Sequence, residues 1–542
     1  MIDLMLPILV LLPFTAGIGL LLARRCGMAD SIGERIGIAT AVVTLVISLF
    51  AMLVVGDAAK LAQADMVIAP RIEFAPAWMV MRLPSMLAAN SQGWQLSLGL
   101  DGIGLAMVLL TTLVTTAVLI VAHSTVARER SDFAAWTLMA TGGLLLVFTA
   151  MDLVLFYVGF EITLIPLFAL IAMWGDKDAD IAAKRFVLYT LAGSIPMILG
   201  LLGIAQLYAI DGVWTISLPK LSGRAAAAAS HWELMPNQIW VFVFLVLGLG
   251  IKMALLPFHT WLPKTYGACH PTCGAFLAAV VLKLGLFGFV RLAIPMLPMV
   301  CEQYGPLVMG VLGAIAIVVG ALMALAQSDL RKLLAYSSLS HVGFVTVGLF
   351  ALNEEGISGA VLQMFNHGIT TAAIFLVAAC VIARRGTAML DSGSHGLARR
   401  YPKLAAFMIF FLAAGAGVPG LNNFVGETLT LSAMVARQPV VAAIGLLGIV
   451  LGAWYAFRLI QNLLFGQDDL DRRHQEGRFA NASDVGVREN SVFALLATLC
   501  LVIGVYPQPA IDIFRRDTSR ISQVCDIASS RHLTITSTQP NP

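Results

Sequence analysis

Fourteen stretches of about 20 mostly apolar residues follow one another through the 542 residues of this chain, each long enough to cross a bilayer as a helix. They lie near 3–23, 37–55, 103–122, 133–150, 152–174, 185–208 and 239–260, then near 273–294, 305–326, 333–352, 358–383, 403–421 (continuing broken to 435), 440–465 and 491–511. Only 12% of the residues are charged and 59% are hydrophobic, where a soluble domain has about a quarter of its residues charged. The pattern predicts an all-α polytopic membrane protein with about 14 transmembrane helices. The net charge of +3 makes no case for nucleic acid, and seven scattered cysteines form no disulfide framework.

The first apolar run lacks a basic stretch before it, and its Arg24-Arg25 pair follows it. It reads as a first spanning helix with the N-terminus outside, not as a signal peptide. Loop charges support that topology. With the N-terminus outside, the inner loops hold twenty Lys and Arg and the outer loops seven, Arg291 among them. Both termini then lie on the outer face, although four arginines in the tail weaken the asymmetry.

Two helices carry breaks. The seventh contains Pro257 and ends at Pro263 in KMALLPFHTWLP, and the twelfth contains Gly415, Gly417, Pro419 and Gly420. Proline removes a backbone donor and clashes with the preceding turn, so both helices should unwind there. Helices 4–8 and 9–13 are two groups of five, an odd number, so the second group must run opposite to the first. Each has its fourth helix broken with a charge at the break, an organisation expected of inverted repeats around a transport path. The chain divides accordingly into helices 1–3 (1–125), a first repeat (126–300), a second inverted repeat (301–466), and a charged inner loop, last helix and polar tail (467–542). The tail after about 512 reads as irregular.

Charges inside the apolar segments are the candidate chemistry. Glu161 lies in LVLFYVGFEITLIPLFALI, Lys252 in VFVFLVLGLGIKMALLPF, Lys283 in GAFLAAVVLKLGLFGFV, and Glu427 follows GAGVPGLNNFVG. A charge at mid-membrane costs about 2.5 kcal/mol or more on insertion scales, so such residues face a protein interior and commonly carry ions or protons. Burial raises a carboxyl pKa and lowers that of an ammonium, while each charge offsets the effect on the other. A Glu161–Lys252 pair that forms and breaks is therefore a proton switch; the plainer reading is a fixed ion pair tying two helices. His259, after the break, His341 in YSSLSHVGFV and His367 in QMFNHGITT titrate near neutral pH and suit a relay. Any of them can equally be an interhelical hydrogen-bond partner, and His259 can simply shape the break. Arg458 reads as an interfacial anchor. Cys269-His270-Pro271-Thr272-Cys273 has too few ligands for a zinc or iron–sulfur site.

No phosphate-binding G-x-x-x-x-G-K-[ST] occurs, and no G-x-G-x-x-G follows a strand, so neither ATP nor NADH is expected to bind this chain. Energy must come from a partner or a gradient.

The stretches GLDGIGLAMVLLTTL, KMALLPFHTWLP, AAVVLKLGLFGF, QSDLRKLLAYSSLSHVGFV, MFNHGITTAAIFL and VPGLNNFVGETL resemble the antiporter-like membrane subunits of respiratory complex I, from about residue 95 to 465. Glu427, where other branches carry lysine, makes the subunit M branch the nearest resemblance. Two places depart from the family pattern: LPKTYGACHP puts Lys264 where an acid is common, and GLNNFVGET replaces a GTSGFVGEF-like stretch.

The resemblance implies that Glu161 pairs with Lys252, Lys283 is the central lysine, His341 and His367 lie on the central axis, and Glu427 is the terminal acid. It implies no cofactor in this chain, with NADH, FMN, iron–sulfur clusters and quinone in partner subunits. Its neighbours would be other antiporter-like membrane subunits in a bacterial plasma membrane. The function expected is proton translocation in a complex I-type NADH:quinone oxidoreductase. The alternatives are a subunit of a membrane-bound hydrogenase or multisubunit cation/proton antiporter, or a non-pumping paralogue.

Overall fold

In the computed structural model the described residues are 4–58, 67–76, 79–81, 94–210, 213–390, 396–465 and 484–538. Most of the expected charged inner loop, 466–483, lies outside them. Twelve helices or composite helices among the described residues are long and apolar enough to cross a membrane. Helices suit that setting because they satisfy their backbone polar groups internally.

The first four long helices are α1 (Met5–Arg25), α2 (Asp30–Ala58), α3 (Gly102–Thr125) and α4 (Arg130–Thr149). Between α2 and α3 the chain forms two small antiparallel ribbons, which the sequence reading left as a connection. Strand β1 (Ile72–Phe74) pairs with β4 (Leu98–Leu100), and β2 (Val80–Met81) with β3 (Trp94–Gln95). The expected fifth helix is two collinear pieces, α5 (Leu153–Ile162) and α6 (Leu164–Trp174), that meet at Thr163, two residues after Glu161. Then come α7 (Ala179–Leu207), α8 (Leu218–Ala228) and α9 (Met235–Lys252).

Both predicted breaks are present. Helix α9 stops at Lys252, and the chain resumes as a single tight turn over Phe258–Thr260 and then α10 (Trp261–Ala268). Farther on, α19 (Pro402–Gly415) and α20 (Asn422–Val435) flank Gly417 and Gly420, whose φ angles of 69° and 90° are open to glycine and strained for other residues. Before that break, the chain forms a segment buried throughout its length, Pro271–Met296. It is built from α11 (Pro271–Phe276), α12 (Lys283–Gly288) and α13 (Ile294–Met296), with wider π-turns over Leu277–Val281 and Phe289–Ala293. Next are α14 (Pro298–Tyr304), α15 (Gly310–Leu325), α16 (Leu330–Leu349), α17 (Glu354–Arg385) and α18 (Leu397–Arg400). The chain closes with α21 (Pro439–Leu464), α22 (Val487–Val505) and α23 (Gln508–Thr538).

Local chemistry fixes where these helices begin. Asp101, Asp152 and Asn353 each accept a hydrogen bond from a first-turn amide, at 2.8 Å in all three cases, starting α3, α5 and α17. Helix α17 is the hub, packing against α3, α11, α16, α19, α20, α22 and α23. Helix α16 is 20 residues long but too polar to be among the twelve, and α19 and α20 are each too short. The tenth and twelfth expected crossings fall on these helices.

Two expectations fail. The tail is helical, because Phe514, Ile521, Val524, Cys525 and Ala528 recur at helical spacing and bury one face against α3, α14 and α17. Their number is too small to lift the tail's polar composition, so composition alone hides them. Arg291, counted as an outer-loop residue, is buried in the second π-turn with its guanidinium gripped by both oxygens of Asp101, one contact 2.9 Å long. A bidentate pair lets an arginine sit where a lone charge would be expelled.

Candidate functional site: a buried line of ionisable side chains

Lys283 follows the first π-turn in a segment with no surface-facing residue. Its ammonium turns back to donate to the Ala278 carbonyl at 2.8 Å, and lies 2.7 Å from Nδ1 of His367 on α17. The wide turn and the lysine occur together, a combination often found at functional positions. His367 Nε2 has no protein partner, and its ring centre stands 4.9 Å from that of His341 on α16. His341 Nδ1 in turn lies 3.0 Å from Glu427 Oε1 on α20, out of line for a hydrogen bond but at ion-pair distance. Glu427 also accepts a long hydrogen bond from Gln363 Nε2, at 3.4 Å. The structure thus brings Lys283, His367, His341 and Glu427 from four separate helices into consecutive neighbours.

The second break shapes the end of that line. Asn422 opens α20 and exchanges hydrogen bonds with α17: Asn366 Nδ2 donates to its carbonyl at 2.7 Å, and its own Nδ2 donates to the Asn366 carbonyl at 3.1 Å. Gly417 faces the acid so closely that a methyl there would lie 2.6 Å from Glu427 Oε2. Sequence reasoning did not single out Gln363, Asn366 or Asn422. Their signal was available as amides placed four residues and one residue before His367, and at the glycine-broken stretch.

The first break differs. Lys252 Nζ has no hydrogen-bond partner and stands 4.5 Å from the centre of the Phe160 ring. Glu161, the next residue after Phe160, is half-buried, has the Ser194 hydroxyl beside it, and interacts with Lys252 through its charge. Among the described residues neither Lys252 Nζ nor Glu161 Oε1 has a polar partner in direct contact, so the two charges interact without touching. The Phe160 ring takes the place beside the ammonium, and a ring face attracts a cation. His259 sits in the tight turn after the break, half-buried, and does not join the line. His270 accepts from the Thr272 amide at 3.3 Å and starts α11. Among the described residues no group of His, Cys, Asp and Glu is arranged to hold a metal.

This fold and this line define a multi-pass α-helical membrane protein of the ion-translocating, broken-helix kind. Residues 150–452 match the family model described as NADH:quinone oxidoreductase/Mrp antiporter, TM, and the chain belongs to that family. It is 34% identical to NADH-quinone oxidoreductase subunit M of Rhodobacter capsulatus over 81% of this chain and 85% of that one. With NADH-ubiquinone oxidoreductase chain 4 of Chondrus crispus it shares 35% over 76% and 80%. Among solved structures, a chain of respiratory complex I from Thermus thermophilus with bound NADH superposes with a TM-score of 0.79 at 29% identity, covering 97% of this chain and all of that one.

Proposed function

We propose that this chain is a proton-translocating membrane subunit of a complex I-type NADH:quinone oxidoreductase, working beside other membrane subunits. The single observation that carries this reading is the unbroken contact series Lys283–His367–His341–Glu427 in the buried centre of the molecule. The names of its relatives add the oxidoreductase. Redox chemistry belongs to partner subunits, and this chain supplies a path for protons.

The atoms suggest how a proton moves. A protonated Lys283 hands a proton to Nδ1 of His367; the resulting imidazolium carries its other proton on Nε2, which lies on the far side of the ring. Passing that proton toward His341 and then from its Nδ1 to Glu427 moves one charge along four helices. Because charges interact strongly in a poorly polarisable interior, a charge arriving on one member of the line is felt by its immediate neighbours, as His367 feels Lys283 and His341. His259 has no part in this transfer. The excess of Lys and Arg in alternate loops supports termini on the outer face of a bacterial plasma membrane.

The test is substitution of Lys283 in membranes carrying the assembled complex. Lys283→Ala removes the proton site and should lower proton pumping per assembled complex by roughly tenfold or more. Lys283→Arg should be equally poor, since a guanidinium does not release its proton. Normal pumping per assembled complex in both variants would sink the proton-carrier role and leave Lys283 a packing residue.

A further inference from the structure

On the face where α1 turns into α2, the first turns of α2 and α22 stand beside the end of α3 and enclose a cavity of about 920 Å³. Its apolar lining is Ile38, Ile120, Val492 and Leu495, with Val492 buried, Ile38 and Ile120 half-buried and Leu495 exposed at the edge. Its mouth is charged. The two acids there are already engaged: Asp30 accepts from the Ser131 and Arg130 amides at 3.0 and 3.2 Å, and Glu34 lies 2.6 Å from His123 and 3.3 Å from the Arg130 guanidinium. Arg35 and Arg488 line the same mouth, are exposed, and have no side-chain partner among the described residues. The site therefore offers two cations without a partner among the described residues, beside an apolar cleft. Its outer wall continues along α2 as an exposed apolar face that includes Val42, Val46 and Phe50.

We propose that this cleft binds an anionic phospholipid, with the headgroup phosphate between Arg35 and Arg488 and an acyl chain laid along Ile38 and Val492. Guanidinium groups match phosphate oxygens in a two-pronged geometry. Basic pockets between spanning helices at the membrane surface are suited to acidic headgroups, and an apolar wall rewards the chain. Charge selects this occupant. A helix from a neighbouring subunit would need its own paired acids at the mouth, whereas an anionic lipid brings its charge and its apolar tail together.

The experiment uses the purified complex containing the full chain, stripped of lipid in detergent and titrated with phosphatidylglycerol or phosphatidylcholine, with bound lipid counted by native mass spectrometry. The wild-type complex should retain phosphatidylglycerol in preference to phosphatidylcholine. Arg35→Ser with Arg488→Ser should weaken that retention by roughly tenfold or more. Leu495→Trp, which crowds the apolar wall where the chain would lie and leaves both arginines, should weaken it as well; this separates a lipid from a free anion, whose binding it would spare. Equal retention of the two lipids, unchanged retention in the double variant, or displacement of the lipid by millimolar inorganic phosphate in the wild type and the Leu495→Trp variant alike would overturn the proposal. So would a photo-crosslinker at Ser491 that labels a neighbouring subunit and no lipid.

Discussion

The two broken helices hold their charges in opposite ways. At the first, Lys252 ends α9 with an aromatic ring beside it, no hydrogen-bond partner, and only the half-buried Glu161 to balance it. At the second, Glu427 sits five residues into α20 and meets His341, Gln363 and the cleared space at Gly417. One charge depends on a single partner that it does not touch, and the other is shared among several near ones. A buried ion that relies on one counter-charge is sensitive to every change in it, whereas a well-surrounded ion is buffered. The sparse break is built to switch, and the crowded one to receive.

The largest effect should therefore come from the sparse end. Glu161→Ala leaves Lys252 without its counter-charge, and pumping per assembled complex should fall by roughly tenfold or more; adding Lys252→Ala should lower it little further, because the two act as a unit. Glu427→Gln should cost less, several-fold, since His341 and Gln363 remain. If proton flux across vesicles ranks these two variants the other way, the contrast between the breaks is wrong. A double-mutant cycle sharpens it: His341→Ala and Glu427→Gln should show a coupling of about 0.5–3 kcal/mol in transport rate, as groups in contact do. Gly417→Ala comes next, because its methyl collides with Glu427 Oε2 and strains a backbone at φ 69°, and pumping should drop about twofold to fivefold with assembly retained.

The smallest effect lies outside the membrane spans. Asp517 on α23 accepts from the Gly102 amide at 2.7 Å and meets Arg71 at 3.2 Å. Burial first, and then the charge of Asp101, push its pKa up to about 7 against the pull of Arg71 and the amide. With the carboxyl protonated in the docked helix and ionised when it is released, docking takes up a proton between about pH 4 and pH 7. It should weaken as pH rises through that window and level off above it. Protection factors along α23, with the intrinsic pH dependence of amide exchange divided out, should be higher at pH 6 than at pH 8, and Asp517→Asn should flatten the difference. A dependence of the opposite sign would place the proton elsewhere.

Much of this was written in the chain. Membrane cost is a local property, so runs of apolar residues located the spans, and the rare charges within them located Glu161, Lys252, Lys283 and Glu427. Proline and glycine removed donors or opened φ, so both breaks were legible too. Partners were not. Whether His341 would face Glu427, whether Lys252 would meet Glu161 or Phe160, and whether Asp101 would draw Arg291 into the interior depended on residues tens to hundreds of positions apart. The tail shows the same limit, for its five buried apolar side chains mark a helix only once α3, α14 and α17 give that face something to cover. Sequence set where charge is expensive, since transfer from water concerns each residue and its immediate neighbours. Tertiary structure decided which groups share that charge, because interactions between ions fall with distance and distance is created by packing.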